Sequence, residues 1–218
     1  TRKLWLKQGM NYCVYDPVTE RFNRDANREV EKYLKGHNSL EHVHIDSKKN
    51  FWFKLYEEGI FYYNPKTKKT TEFKLGYNKN ELKSHYVIAA MTEYRDGLLI
   101  MTHTGELVYL NGEKGTIEWE NTWMHDHGVQ QSQNYKLLAD KQNNIWVVAE
   151  HYALIYIDKE KRWYNTIPEL VHARGIENFP EQIQAWDVKI DRHGWLWVAT
   201  DHNGLFIIDL KEREFRQF

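Results

Sequence analysis

The stretch "DKQNNIWVVAEHYALIYID" (140–158) returns 51 residues later as "DRHGWLWVATDHNGLFIID" (191–209). Each copy opens on an aspartate and a polar, turn-forming cluster. A Trp-centred apolar run follows, and a second apolar run closes on Asp. With the Trp as a ruler, Trp146 has counterparts at Trp197, Leu99, Trp52 and Trp5, at steps of 51, 47, 47 and 47 residues. An acid stands six residues before the marker at Asp46, Glu93, Asp140 and Asp191. Asp or Asn stands twelve after it at Asn64, Asn111, Asp158 and Asp209, and the first unit has Asp16 at eleven. Self-similarity at a fixed period marks a repeat architecture, in which one unit cannot bury its apolar surface alone.

The second unit displays the local logic. "HVHID" (42–46) reads as a strand, "SKKN" as a turn, "FWFKLY" (51–56) as a second strand and "EEG" as a second turn. "GIFYYN" (59–64), the turn "PKTKK" and "TTEFKL" (70–75) complete four strands. Short polar loops join antiparallel neighbours directly. Pro65 follows the third strand, where its missing N–H costs nothing. Runs such as "IWVVA" and "LIYI" are apolar without alternation, which means both faces are covered. The expected fold is all-β: a β-propeller of four-stranded antiparallel blades, with units near 1–24, 42–75, 87–121, 135–167 and 185–218. The marker Trp is expected to fill the wedge between blades, and the leading acid to tie the first turn through backbone N–H groups. The first unit lacks an opening strand and the last ends on its fourth. The chain is therefore expected to be one partial propeller domain, part of a larger, seven-bladed ring.

Composition removes several function classes. Lys plus Arg number 30 against 31 Asp plus Glu, a net charge of −1, so the basic excess of a nucleic-acid binder is missing. The lone Cys13 can form no disulfide within the chain and supplies no zinc site; it fits a reducing compartment and a thiol-avoiding periplasm equally. No apolar run reaches the length of a membrane helix. Catalytic signatures such as the G-x-S-x-G elbow, the P-loop and the dinucleotide fingerprint are missing. With Gly194 three residues after Asp191, the turn does not fit the Asp-box of sialidases, and no cofactor is expected.

The stretches "IDRHGWLWVATDHNGLFIIDLKEREF" and "LADKQNNIWVVAEHYALIYIDKEKRW" resemble the two-component regulator propeller repeat. That pattern runs from an Ile through an Asp and a Gly to a Leu–Trp–Val–Ala–Thr-like strand, then a Gly turn and a closing aromatic and Asp. The fourth unit departs from it at Ala153, where the pattern has Gly. The third departs at Leu99, where it has Trp. The resemblance implies the periplasmic sensor domain of a Bacteroidetes hybrid two-component receptor, binding a glycan fragment or other small ligand without catalysis. It further implies partners in the remaining blades and a second propeller, homodimerisation of the full-length receptor, and a histidine kinase downstream. Two alternatives stand beside it: a protein–protein interaction scaffold, and a propeller enzyme like streptogramin lyase.

Propeller topology places the fourth-to-first linkers on the same face as the second-to-third turns. The linkers 25–40, 76–85, 122–134 and 168–184 are long, and the first contains a helix-like "REVEKYLKG" ended by Gly36. Variable loops on a rigid scaffold carry function, so the ligand is expected on this face. The expected contacts are Glu150, His151 and Tyr152 of one turn, Asp201, His202 and Asn203 of the next, and His103 from the adjacent turn. Trp123, Trp186 and Arg174 join them from the linkers and strand starts. Aromatic rings cover the C–H faces of sugars and polar groups bond their hydroxyls. "MHDHG" (124–128) has His125 and His127 at a metal-ligand spacing, and His42 and His44 share one side of an innermost strand, where they are expected to be satisfied core histidines in preference to lining a central channel; no metal is assigned to either pair.

Overall fold

The apolar runs of the repeat are strands in the computed structural model, which describes residues 4–8, 11–23, 40–55, 58–76, 82–83, 87–128, 135–149 and 152–218. They fall into two compact units, Thr1–Ser84 and His85–Phe218. In the first unit, β1 (Leu4–Gln8), β2 (Asn11–Asp16) and β3 (Arg21–Asn23) form a three-stranded antiparallel sheet. A second sheet orders β4 (Leu40–Ile45), β5 (Phe51–Leu55), β6 (Gly59–Asn64), β7 (Lys69–Gly76) and β8 (Leu82–Lys83) side by side. The expected blade has four strands; β8 is a fifth, paired parallel to β7, with Leu82 buried. The helix expected at "REVEKYLKG" lies outside the described residues.

The second unit contains three four-stranded antiparallel meanders. These are β9 (Ile88–Tyr94) to β12 (Thr116–Asn121) through β10 (Gly97–Thr102) and β11 (Leu107–Asn111); β13 (Lys136–Ala139), β14 (Ile145–Ala149), β15 (Tyr152–Ile157) and β16 (Arg162–Tyr164); and β17 (Ala185–Ile190), β18 (Leu196–Thr200), β19 (Leu205–Asp209) and β20 (Glu214–Gln217). Among the described residues two helices interrupt the linkers, α1 (Trp123–Asp126) and α2 (Ile167–Ala173). The architecture is that of propeller blades, as the repeat predicts.

Side-chain alternation assigns each face of the middle sheet a different neighbour. Ile145, Val147, Ala149 and Leu154 join Leu99, Met101, Leu107 and Tyr109 of the preceding sheet. Trp146, Val148, Ala153 and Ile155 join Val188, Leu196, Val198, Phe206 and Ile208 of the following one. A continuous apolar run is thus two half-cores read through one strand. On the last sheet Leu196, Val198, Phe206 and Ile208 are buried, while Trp197, Ala199, Leu205 and Ile207 on the other face are only partly covered.

The leading acid does more than tie a turn. Asp140 Oδ1 accepts the backbone N–H groups of Gln142 and Asn144, and its Oδ2 accepts Asn144 Nδ2 and the Trp146 indole N–H at 3.4 Å. Asp46 repeats this with Asn50 and Trp52, and Asp191 with His193, Trp195 and Trp197. The marker is therefore a Trp because the buried ring also has a donor to place. The third unit confirms the coupling by departing from it. A two-residue turn, Arg95–Asp96, replaces the longer loop there, and Asp96 instead accepts from the Tyr109 hydroxyl at 2.6 Å. Leu99, facing Tyr109 across the strands, needs no acid. The trailing Asp or Asn caps the third-to-fourth turn: Asp16, Asn64, Asn111 and Asp209 each accept one or two N–H groups from the residues that follow.

Removing a fully buried marker ring should cost about 3–5 kcal/mol, so Trp146→Ala is expected to lower stability by that amount in urea titration. Trp197→Ala should cost clearly less, because its face is only partly covered. Acid should also destabilise the fold. Asp158 is held below the usual carboxylate range by Lys161 and then Arg95, and Asp209 by the backbone N–H of Glu212 and then Lys211. Burial pushes Asp191 upward, but the Trp195 N–H, the Trp197 indole and the His193 N–H outweigh it and the net shift is down. The unfolded chain therefore binds protons first. Stability should be level above the ordinary carboxylate pKa of ~4 and be lost as pH falls through the lower folded values, as thermal melts across that range would report.

Candidate functional site

Concavities of useful size lie among the described residues of the second unit, and two of them adjoin the last sheet. The larger, about 420 Å³, runs along the partly covered face of the last sheet, against Asp187, Lys189, Trp197, Ala199 and Leu205. The matching face of the middle sheet, around Trp146, is packed under a neighbouring sheet, so this groove has the character of a packing surface. The smaller, about 250 Å³, opens on the long-linker face at the seam between the middle and last sheets. We take it as the candidate ligand site.

Three segments build this cleft. Tyr152 and Ala153 come from the start of β15, Thr166, Ile167 and Pro168 from the start of α2, and residues 181–185 from the approach to β17. Ile167, Pro168, Ala153 and Ala185 are buried and form an apolar floor. The other lining residues carry polar groups: Tyr152, Thr166, Glu181, Gln182 and Gln184. Helix α2 is fixed by a reciprocal cap. The Glu169 N–H donates to Thr166 Oγ1 at 3.0 Å, and the Asn165 N–H donates to Glu169 Oε2 at 2.7 Å. This capping box, "TIPE" with Pro inside the first turn, was legible in the sequence. Reading 168–184 only as a linker overlooks it, and with it Glu181, Gln182 and Gln184.

The expected contacts divide among three places. Tyr152 stands at the cleft and also packs against the core of the preceding seam. The turn carrying Asp201, His202 and Asn203 adjoins it, because the Asp201 N–H donates to the Gln184 carbonyl at 3.0 Å. His202 is exposed, with Nε2 at 3.0 Å from Asp201 Oδ2, and the Asn203 N–H donates to Thr200 Oγ1. Trp186 follows Ala185 at a β-bulge, where pairing skips from Ala185–Thr200 to Asp187–Ala199. The bulge turns its ring outward, leaving it 45% exposed. Similar bulges interrupt β4 and the β9–β10 pairing near their linker ends.

His103 and Trp123 belong to the preceding seam. The His103 N–H donates to the Val87 carbonyl, and Trp123 stacks on His127 at 4.1 Å while packing against the Leu99–Val147 core. Arg174 lies elsewhere: it pairs with Glu160 at 2.5 Å, in the turn between β15 and β16, and sits near the Tyr164 ring. Helix α2 carries the chain away from the cleft to that turn. Glu150 and His151 lie outside the described residues.

The His pairs are engaged in protein contacts. His125 Nδ1 donates to the Thr104 carbonyl at 2.8 Å and lies 3.5 Å from the buried Glu106 carboxylate, and His127 Nδ1 donates to the Trp123 carbonyl at 2.7 Å. Carbonyls only accept, so both Nδ1 atoms carry protons. His42 is exposed and His44 partly buried on β4. Among the described residues no three His, Cys, Asp or Glu side chains converge as a metal site.

No protein-family model and no curated protein matches this chain. Solved structures do. The extracellular domain assigned to the hybrid two-component system BT4673 of B. thetaiotaomicron superposes with a TM-score of 0.59 at 16% identity, over 99% of this chain and 28% of that one. PorZ, a surface component of the type-IX secretion system of Porphyromonas gingivalis, gives 0.57 at 14% identity, over 99% and 32%. YCF48 from Cyanidioschyzon merolae gives 0.50 at 11%, over 89% and 59%. The chain thus spans less than a third of the length of the first two. Likeness at this identity establishes the fold. It places an extracellular two-component domain among the structural neighbours, as the repeat resemblance implies.

The Arg174 pair can be tested directly. Burial raises the Glu160 carboxyl, but hydrogen bonds from Tyr164 and Arg174 carry it below its usual range. Arg174→Ala should move its titration upward, as read by NMR, and cost about 1 kcal/mol for a partly exposed pair whose side chains are 24% and 30% exposed.

Proposed function

We propose that this chain is a non-catalytic ligand-binding propeller from the extracytoplasmic part of a signalling receptor, and that it holds a glycan fragment at the Tyr152 cleft. The observation that carries the reading is the cleft itself. An apolar floor is lined by Tyr152, Thr166, Glu181, Gln182 and Gln184, which bring amide, hydroxyl and carboxylate chemistry to one cleft. Sugars offer apolar C–H faces and hydroxyls that both donate and accept, and this wall answers both. The cleft falls just short of the ~300–1,000 Å³ of small-molecule pockets, so one sugar ring enters while the rest of the chain lies toward the Asp201 turn. Trp186 and Asp201 are the proposed outer contacts. The fold likeness to the extracellular domain of a two-component system supports the sensor role. No helix among the described residues is long and apolar enough to cross a membrane.

A ligand changes the output of such a receptor only through different affinity for its two states. A seam between two sheets suits this, because a small change in their packing alters the distance between Tyr152 and Gln184. The remaining blades, a second propeller and a dimeric receptor complete the proposal. A second reading, a protein-binding scaffold, draws on the apolar groove beside Trp197 and would use a different surface.

Calorimetry with an oligosaccharide panel, followed by chromatography of the mixture, tests the reading. Binding without products is expected. Tyr152→Ala should weaken it by about 1 kcal/mol, roughly fivefold, and Asp201→Ala should weaken it less. Turnover by the chain would replace the sensor reading with a propeller enzyme.

A further inference from the structure

We infer that the cleft selects neutral, hydroxyl-rich glycans and rejects acidic ones; the inference rests on the glycan reading above. Glu181 is the charged side chain of the cleft wall, and among the described lining residues there is no Lys or Arg. Its carboxylate side chain is 86% exposed. The nearby cationic groups already face carboxylates of the protein. Arg162 pairs with Glu169 at 3.5 Å. His172 lies 3.7 Å from Glu181 through Nδ1, while its Nε2 donates to the Phe179 carbonyl. Asp201 on the adjoining turn adds a second negative group.

The start of α2 is the one feature of the wall that would favour an anion, since free N–H groups and the helix dipole converge there. It is already occupied. Pro168 has no N–H, the Glu169 N–H is bound by Thr166 Oγ1, and the Glu169 carboxylate caps the turn from within. A uronate would therefore bring its charge against Glu181 with no free cation to receive it, and discrimination by an unpaired charge is a general route to specificity. The amides of Gln182 and Gln184 each donate and accept, which suits hydroxyls rather than carboxylates.

The test uses matched tetrasaccharides that differ only by oxidation at C6: galactose and galacturonic acid, glucose and glucuronic acid, mannose and mannuronic acid. Calorimetry on wild type, Glu181→Gln and Glu181→Lys reads the neutral-to-acidic affinity ratio at low and physiological salt. Both variants alter an exposed side chain and should fold. For the pair that binds, the neutral member should bind about tenfold tighter at low salt, with the ratio narrowing as salt screens the charge. Glu181→Gln should reduce the ratio about threefold and Glu181→Lys should bring it near one, the modest sizes expected of an exposed charge. An acidic member that binds wild type as tightly as its neutral partner overturns the inference while leaving the glycan reading intact. A ratio unmoved by Glu181→Lys does the same. Failure of every pair to bind overturns both.

Discussion

Burial of both faces of the middle sheet is the constraint on which the second unit depends. In the middle sheet, alternate residues of β14 and β15 belong to different cores. Trp146 and Val148 pack toward Val198 and Phe206, and Val147 and Leu154 pack toward Leu99 and Tyr109. Such a sheet standing alone would expose two apolar faces to water. Each sheet therefore needs neighbours, and the seams between sheets become the natural places for clefts. The candidate site lies at one of these seams, where sheet ends, a capped helix and a returning linker meet.

A second interaction sets where each sheet begins. One carboxylate organises the first turn through backbone N–H groups and holds the indole of the marker Trp six residues later. Turn geometry and core filling are thereby joined in one local unit. The third unit keeps an acid, Glu93, six residues before the marker but has a different turn: two residues place Asp96 against Tyr109, and the ring at the marker position gives way to Leu99.

The same scaffold accommodates different roles, since a two-component extracellular domain and a secretion component share this fold at low identity. Function must then be read from the residues that the repeat does not fix. Here those are the start of α2, the polar approach to β17 and the turn after β18. Their chemistry is amide, hydroxyl and carboxylate over an apolar floor. It supports recognition of a neutral polyol more directly than it supports proton transfer or nucleophilic attack.

The sequence by itself determined the strands, their four-fold grouping and the all-β propeller class. Those depend on local periodicity and on turn chemistry within a few residues: Asp140 with Asn144, Asn64 before Pro65, the apolar runs between them. It also marked the long-linker face, and Tyr152 and Asp201 on it. Tertiary structure decided the rest. Arg174 had the right residue type in the right linker, yet α2 carries it to Glu160. Trp186, expected among the ligand contacts, is exposed because the bulge opposite Thr200 turns it outward, which no local pattern announces. Glu181, Gln182 and Gln184 look like ordinary linker polarity, although the "TIPE" cap upstream signals the helix that directs them back. The acid-to-indole bond and the parallel β8 likewise had no separate signature. The physical reason is range. A strand or turn is decided by neighbours in the chain, whereas a cleft is made by segments that meet only after sheets have stacked, and no local pattern records which side chains will face each other across the seam.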